Sequence, residues 1–457
     1  MEAPSTTFNR FTLEQRELTD KHKNEVKIVS ALNSDFIERV LPYPVCEVRQ
    51  LSDLNQPMHL IVEPNAQKLI LTFHRYGPFS QNETKKLCPF GSGQVHSKFI
   101  SLIGKNNLLT TFEEKSQIQR KAVLTYFSRD KMENIRISCI DITKNWLDKR
   151  IGLNNVLLFD SCLNLVGECL IKGILGFKKC TEDDVRNNCD YWKVLLANKP
   201  SELQPANEFE SEEKSFFSQF FSDVGDKLTK LKTYIIDSSK IDNLCKIIYD
   251  ETLFIRDSFA NHLCKKEFSE FEILENIKGM LLGGLETTGY LFGFLLYEYS
   301  RNLEMQKEHS GDKQKIKSAF LEALRLYSVG GALREADMDM ALIYFENNLR
   351  KEHYIRQGDL INTLPWLAGH NPFKFENPEI FNPNRENLED VKKIPHYGGG
   401  PHACIGKQVA EMEILTCISE ILSRVIVKTD GELPQLAGNF TMRPIKDMHV
   451  QFFEKLT

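Results

Sequence analysis

Cys404 lies in Tyr397-Gly398-Gly399-Gly400-Pro401-His402-Ala403-Cys404-Ile405-Gly406. An aromatic residue stands seven before the thiol, glycines four before and two after, and a cationisable side chain two before. Ile405, Val409, Met412, Glu413 and Thr416 follow at helical spacing. A single thiol presented by a glycine-rich loop just before a helix suits ligation of a metal as thiolate. Glycines let the backbone lie flat against a large planar group, and the N–H groups of the first helical turn can face the sulfur. Such hydrogen bonds tune the electron donation of a ligating thiolate. The plainer reading, a thiol packed in a glycine-rich turn, leaves the fixed offsets on both sides of it without a reason.

Three more segments carry chemistry. Gly283-Gly284-Leu285-Glu286-Thr287-Thr288 interrupts the apolar stretch from Gly279 to Tyr297 with an acid and two hydroxyls. Glu322-Ala323-Leu324-Arg325 places opposite charges at i and i+3, on one face of a helix. Phe381-Asn382-Pro383-Asn384-Arg385 supplies another guanidinium downstream. Singly, each has an ordinary reading. An exposed Glu-x-x-Arg pair is worth well under ~1 kcal/mol, and hydroxyls in apolar helices commonly bond back to the preceding turn.

Together and in this order, the segments resemble the cytochrome P-450 superfamily. The cysteine loop is similar to the pattern Phe-x-x-Gly-x-Arg/His-x-Cys-x-Gly, matched at Gly400, His402, Cys404 and Gly406, with Tyr397 in place of Phe. Gly283 to Thr288 resembles the oxygen-activating motif Ala/Gly-Gly-x-Asp/Glu-Thr-Thr/Ser. The resemblance implies that Cys404 ligates the iron of haem b (heme b, iron protoporphyrin IX). It further implies that Gly283 and Gly284 leave room beside the cofactor, and that Glu286 and Thr287 relay protons to dioxygen. Glu322, Arg325 and Arg385 would form a charge-assisted clamp around the haem loop.

The resemblance is clear from about Phe268 to Glu420 and thins toward the N-terminus. Arg120 and Arg334 occupy positions where the family places arginines on the haem propionates. Ser116 stands four before Arg120, where the family has Trp or His. Ser328-Val329-Gly330-Gly331 replaces a common Pro-Pro pair at the substrate border, and His370-Asn371-Pro372 fits the family's His-x-Asp/Asn-Pro region.

The elements that must position these residues read as mainly helical. Helical periodicity runs through about 111–128, 131–149, 155–176, 213–235, 241–263, 268–300, 313–327 and 405–423, with extended pieces around Met58–Val62 and Asp359–Leu364. The expected fold class is mainly α with a small β-sheet lobe, the helical prism of the family, in one catalytic domain over 1–457. The N-terminal part to about 110 is expected to contain the sheet-rich lobe, and about 268–425 the haem-binding core. Phe216, Phe217, Phe220 and Phe221 form an aromatic stripe that reads equally well as pocket roof or as core packing.

Composition narrows the partners. With 41% apolar residues and 30 phenylalanines among 457, the chain can bury a large lipophilic core. A net charge of −5 leaves no nucleic-acid footprint. Eleven scattered cysteines, without CxxC spacing, point to a reducing compartment rather than to disulfides or zinc. The charged first forty residues give no membrane anchor, and Glu286 within Gly279–Tyr297 fits a core helix better than a spanning one. The expected location is therefore cytoplasmic and soluble. Lys392, Lys393 and Lys407 flank the cysteine loop as a docking surface for an acidic redox partner or as ordinary solvated lysines.

The implied function is a haem-thiolate monooxygenase that inserts one oxygen atom from O2 into a lipophilic small molecule. The short segment after Cys404 holds no reductase, so electrons are expected from a ferredoxin with its reductase or from a flavoprotein reductase. Within the fold, the alternatives are an isomerase or dehydratase, or a peroxygenase, acting on lipid hydroperoxides. The intact Glu286-Thr287 pair counts against the isomerase and dehydratase. A non-catalytic haem sensor would have no use for the pair.

Overall fold

The computed structural model describes residues 12–15, 45–48, 58–72, 90–91, 103–111, 113–196, 239–336, 338–346, 348–429, 431–438 and 441–455. The expected helix over 213–235 and the aromatic stripe Phe216 to Phe221 lie outside them. The described helices are α1 (Pro64–Thr72), α2 (Glu113–Tyr126), α3 (Arg129–Asp148), α4 (Leu158–Glu168), α5 (Glu182–Leu196), α6 (Ser239–Thr252), α7 (Phe259–Cys264), α8 (Glu270–Arg301), α9 (Leu303–His309), α10 (Lys313–Leu326), α11 (Pro365–Gly369) and α12 (Lys407–Arg424).

The long axis of the core is α8, 32 residues started by a reciprocal cap. The Glu272 N–H donates to Ser269 Oγ at 3.4 Å, and the Ser269 N–H donates to Glu272 Oε2 at 3.1 Å. Two glycines on this helix allow a close crossing with α4. A Cβ on Gly289 would sit 2.7 Å from Leu163, and one on Gly293 would sit 2.6 Å from Phe159. This is the one described helix long and apolar enough to cross a membrane, and 78% of its apolar window is buried inside the protein. In α12, Val409, Glu413, Cys417 and Ile421 repeat every four residues along the buried face. That face packs against α3 and α10.

Two expected helices are broken. The stretch 155–176 is α4 continued by a π-helical segment, Cys169–Leu175, which stops at the left-handed Gly176. The stretch 241–263 divides into α6 and α7. Asp257 takes a left-handed φ of 64°, and Ser258 then caps the new helix through the Asn261 N–H at 3.1 Å. Helical periodicity marks none of α1, α5, α9 and α11.

The strands are β1 (Thr12–Gln15), β2 (Val45–Val48), β3 (Met58–Ile61), β4 (Phe90–Gly91), β5 (Val156–Leu157), β6 (Ala332–Ala336), β7 (Met340–Glu346), β8 (Leu349–Ile355), β9 (Leu360–Thr363), β10 (Val425–Lys428), β11 (Leu436–Gly438), β12 (Met442–Pro444) and β13 (His449–Glu454). The largest sheet among the described residues runs β2-β3-β9-β6-β4. The two extended pieces read from the sequence pair here in parallel, His59 opposite Ile361 and Leu60 opposite Asn362. The sheet lobe is therefore not an N-terminal unit, because strands from 332–363 complete it. A second sheet runs β1-β7-β8, and the buried His59 of β3 joins the two, bonding His353 of β8 at 2.8 Å on one side and Asp359 at 2.8 Å on the other.

Candidate active site

Two left-handed glycines shape the cysteine loop. Gly398 (φ 71°) and Gly400 (φ 62°) occupy backbone space that L side chains avoid. The chain turns after Tyr397, and the Cys404 N–H returns to the Tyr397 carbonyl at 2.8 Å. Gly406 then caps α12. The thiol thus stands at the N-terminus of an 18-residue helix, beside the Gly406 and Lys407 N–H groups. Burial pushes the thiol up, while those N–H groups and the Arg120 guanidinium favour thiolate. Cys404 is at the same time solvent-accessible.

The neighbouring cations are placed unequally. Arg120 on α2 donates to the Ala403 carbonyl at 2.5 Å, directly against the loop. Arg334 is half-buried on β6, opposite Ile361 of β9. His402 is exposed, and Tyr397 lies 5.4 Å beneath the Lys407 ammonium. Lys392 and Lys393 do not form an open basic surface. They pair locally with Glu389 and Asp390, each at 2.5 Å.

Helix α8 packs on α12, and its glycines face different ways. A Cβ on Gly283 would meet no atom within 4 Å, whereas one on Gly284 would meet Leu170 of the π-helical segment at 3.3 Å. Gly283 borders open space; Gly284 serves helix packing. Thr287 Oγ1 donates to the Gly283 carbonyl at 2.7 Å, the back-bonding that loosens a helix at that turn. Glu286 points elsewhere, since adjacent helical residues diverge by about 100°. It is 1% exposed, and its Oε2 accepts the Thr441 hydroxyl at 2.7 Å.

The clamp is fully formed. Arg325 meets Glu322 with two bonds, Nε to Oε2 at 2.9 Å and Nη2 to Oε1 at 2.8 Å. Arg385 Nε reaches Glu322 Oε1 at 2.8 Å, and the Asn382 N–H adds a bond at 3.0 Å. Arg325 Nη1 donates to the carbonyls of Gly369 and Pro378, both at 2.7 Å. With Glu322 and Arg325 at 0% exposure, the triad is a buried network with its donors satisfied, unlike a surface pair.

Sequence reasoning missed several neighbours. Thr441 and Arg443 reach α8 from 155 or so positions away. The loop 103–111 is tied to α8 through the Asn106 N–H on Glu275 at 2.5 Å and the Leu108 N–H on Asn276 at 3.1 Å. No local spacing announces contacts of that range.

The family model of Cytochrome P450 matches residues 90–451. The chain belongs to the cytochrome P450 family. Among curated relatives of this P450, sheep (Ovis aries) mitochondrial cytochrome P450 11B1 is 28% identical over 37% of each chain. Rat (Rattus norvegicus) mitochondrial 25-hydroxyvitamin D-1 alpha hydroxylase is 26% identical over 45% of each. The mitochondrial cholesterol side-chain cleavage enzyme of Hypanus americanus is 20% identical over 66% of this chain and 70% of its own. The matches to the first two thus span well under two thirds of those enzymes' length. Two solved P450 structures share the fold at low identity. A 6-coordinated P450 from Thermus thermophilus has a TM-score of 0.65 at 16% identity, covering 92% of this chain and 99% of that one. A retinoic acid-bound cyanobacterial P450 has a TM-score of 0.67 at 15% identity, covering 93% and 95%. The three relatives are mitochondrial by name, which lends no support to the cytoplasmic expectation.

P450 proteins carry haem b, and the donor set here fits it. It offers one accessible thiol held by helix N-terminal N–H groups, a guanidinium beside it, and a glycine on α8 whose Cβ would project into open space.

Proposed function

We propose that this P450 is a haem-thiolate monooxygenase that places one oxygen atom from O2 into a lipophilic small molecule, using electrons from a separate donor. The observation that carries the reading is the Cys404 sulfur, set at the N-terminus of α12, where the Gly406 and Lys407 N–H groups favour the thiolate. When bound there, the haem supplies the oxygen activation. The chain supplies the rest. Cys404 would ligate the iron, and the N–H bonds to its sulfur would moderate how much electron density it releases. Arg120, Arg334 and His402 would meet the propionates. Gly283 keeps side-chain atoms out of the space beside α8, and Tyr397, Gly400 and Gly406 shape the loop. Thr287 can turn its hydroxyl from the Gly283 carbonyl toward reacting oxygen, and Glu286 can bring protons inward. We read residues 1–457 as one catalytic unit.

The three curated relatives point to a sterol-like or secosteroid-like substrate and to a mitochondrial setting, in which a ferredoxin is the fitting electron donor. The test is the carbon-monoxide difference spectrum of the reduced protein beside Cys404→Ser. A strongly red-shifted Soret band that disappears in the variant supports the reading. A histidine-type band, or no haem, overturns it.

A further inference from the structure

Glu286 is held from outside its own helix. Its Oε2 accepts the Thr441 hydroxyl at 2.7 Å, and both residues are buried, at 1% and 3% exposure. Thr441 directly precedes β12, and Arg443 follows two residues later on that strand. Both side chains reach α8. Arg443, 9% exposed, bonds Tyr290, which lies one turn after Glu286 and feels the Glu286 carboxylate as well. Four side chains therefore cross-link α8 to the β11–β12 hairpin, with the acid at the centre.

A buried carboxylate with one oxygen fixed by a hydroxyl donor has few orientations left. The donor sets the direction in which the second oxygen is presented. Without the donor, the side chain regains rotamer freedom, and its charge loses a bond in a poorly solvated place. We infer that Thr441 is a positioning residue for Glu286, so that the β11–β12 hairpin governs how protons pass to Thr287. This rests on the monooxygenase reading, in which Glu286 and Thr287 relay protons.

The test uses Thr441→Val, which removes the donor at nearly constant volume, Thr441→Ser, which restores it, and Glu286→Gln as reference. The first readout needs no turnover. In infrared difference spectra of the resting holoenzyme, the carboxyl band that vanishes in Glu286→Gln should shift in Thr441→Val and return in Thr441→Ser. The second readout is the fate of oxygen consumed with ferredoxin, its reductase and NADPH, without substrate. Release as hydrogen peroxide takes two electrons and two protons, and reduction to water takes four of each. The peroxide-to-water ratio should rise about tenfold in Thr441→Val, the size of one lost bond to a charged group, and fall back in Thr441→Ser. The thiolate-type carbon-monoxide band serves as the check on folding.

An unchanged ratio in Glu286→Gln sinks both the relay and this inference. A raised ratio in Glu286→Gln, with band and ratio unmoved in Thr441→Val, overturns the inference alone. A raised ratio in Thr441→Val that Thr441→Ser does not correct marks a packing effect and overturns it too.

Discussion

At the scale of single residues, the sulfur of Cys404 and the hydroxyl of Thr287 carry the sharpest expectations. Cys404→Ser keeps the loop's glycine geometry but replaces a polarizable thiolate by a weak oxygen donor, so the red-shifted carbon-monoxide band should be lost. Thr287→Ala leaves the Gly283 carbonyl without its 2.7 Å partner and removes one hydroxyl from the relay. Product formed per NADPH should fall about a hundredfold or more while reductant use continues, the lower end of the range for losing one general acid–base group. Unchanged yield per NADPH would remove Thr287 from the mechanism. The cysteine loop was readable from sequence because its constraints are local: left-handed backbone needs glycine at fixed offsets from the thiol. The partner of Glu286 was not readable, because Thr441 is brought to it by tertiary packing alone.

At the scale of elements, the clamp ties α10 to the chain around 369–385. Arg385→Leu leaves Glu322 with both of its Arg325 bonds, whereas Arg325→Leu removes both, leaving the Arg385 and Asn382 bonds to Oε1 and a buried Oε2 without its donor. Breaking a buried pair costs ~3–5 kcal/mol, so Arg325→Leu should fall in that range in urea unfolding and Arg385→Leu below it. Next to the clamp, His370 is 2% exposed, and burial lowers its pKa from 6.5 to about 3, against the Trp366 carbonyl, which raises it. The Arg325 guanidinium also disfavours a charged ring, and Glu379 lies 3.6 Å from Nε2. The unfolded chain takes up a proton below about 6.5 that the folded protein refuses until about 3. Stability from this group is therefore complete above pH 6.5 and declines as pH falls toward 3. Urea midpoints across that range should drop with acid, and His370→Gln should flatten the drop. On the loop tied to α8, Gly104 combines a φ of 87° with a Glu275 carboxylate 2.0 Å from where a Cβ would be. Gly104→Ala should cost about 1–3 kcal/mol in thermal unfolding. Adding Glu275→Ala should recover only the steric part.

At the scale of the whole molecule, helical periodicity located the core helices but treated α6 and α7 as one, because a left-handed Asp257 is not a pattern that hydrophobic spacing records. The sheet lobe was placed too near the N-terminus for a related reason. Short strands such as β3 reveal neither partner nor register, and β3 pairs with β9 some three hundred positions later. That pairing also orders the way the chain is assembled. Loop closure over such separations is slow, and during synthesis β3 emerges long before β6 and β9 exist to receive it. Contacts among α8, α10 and α12 close over far shorter lengths of chain. The helical core should therefore gain protection first in pulse-labelled hydrogen exchange, with β3 and β9 amides following together. In the interval the β3 edge is exposed, which makes the nascent lobe the place where aggregation begins.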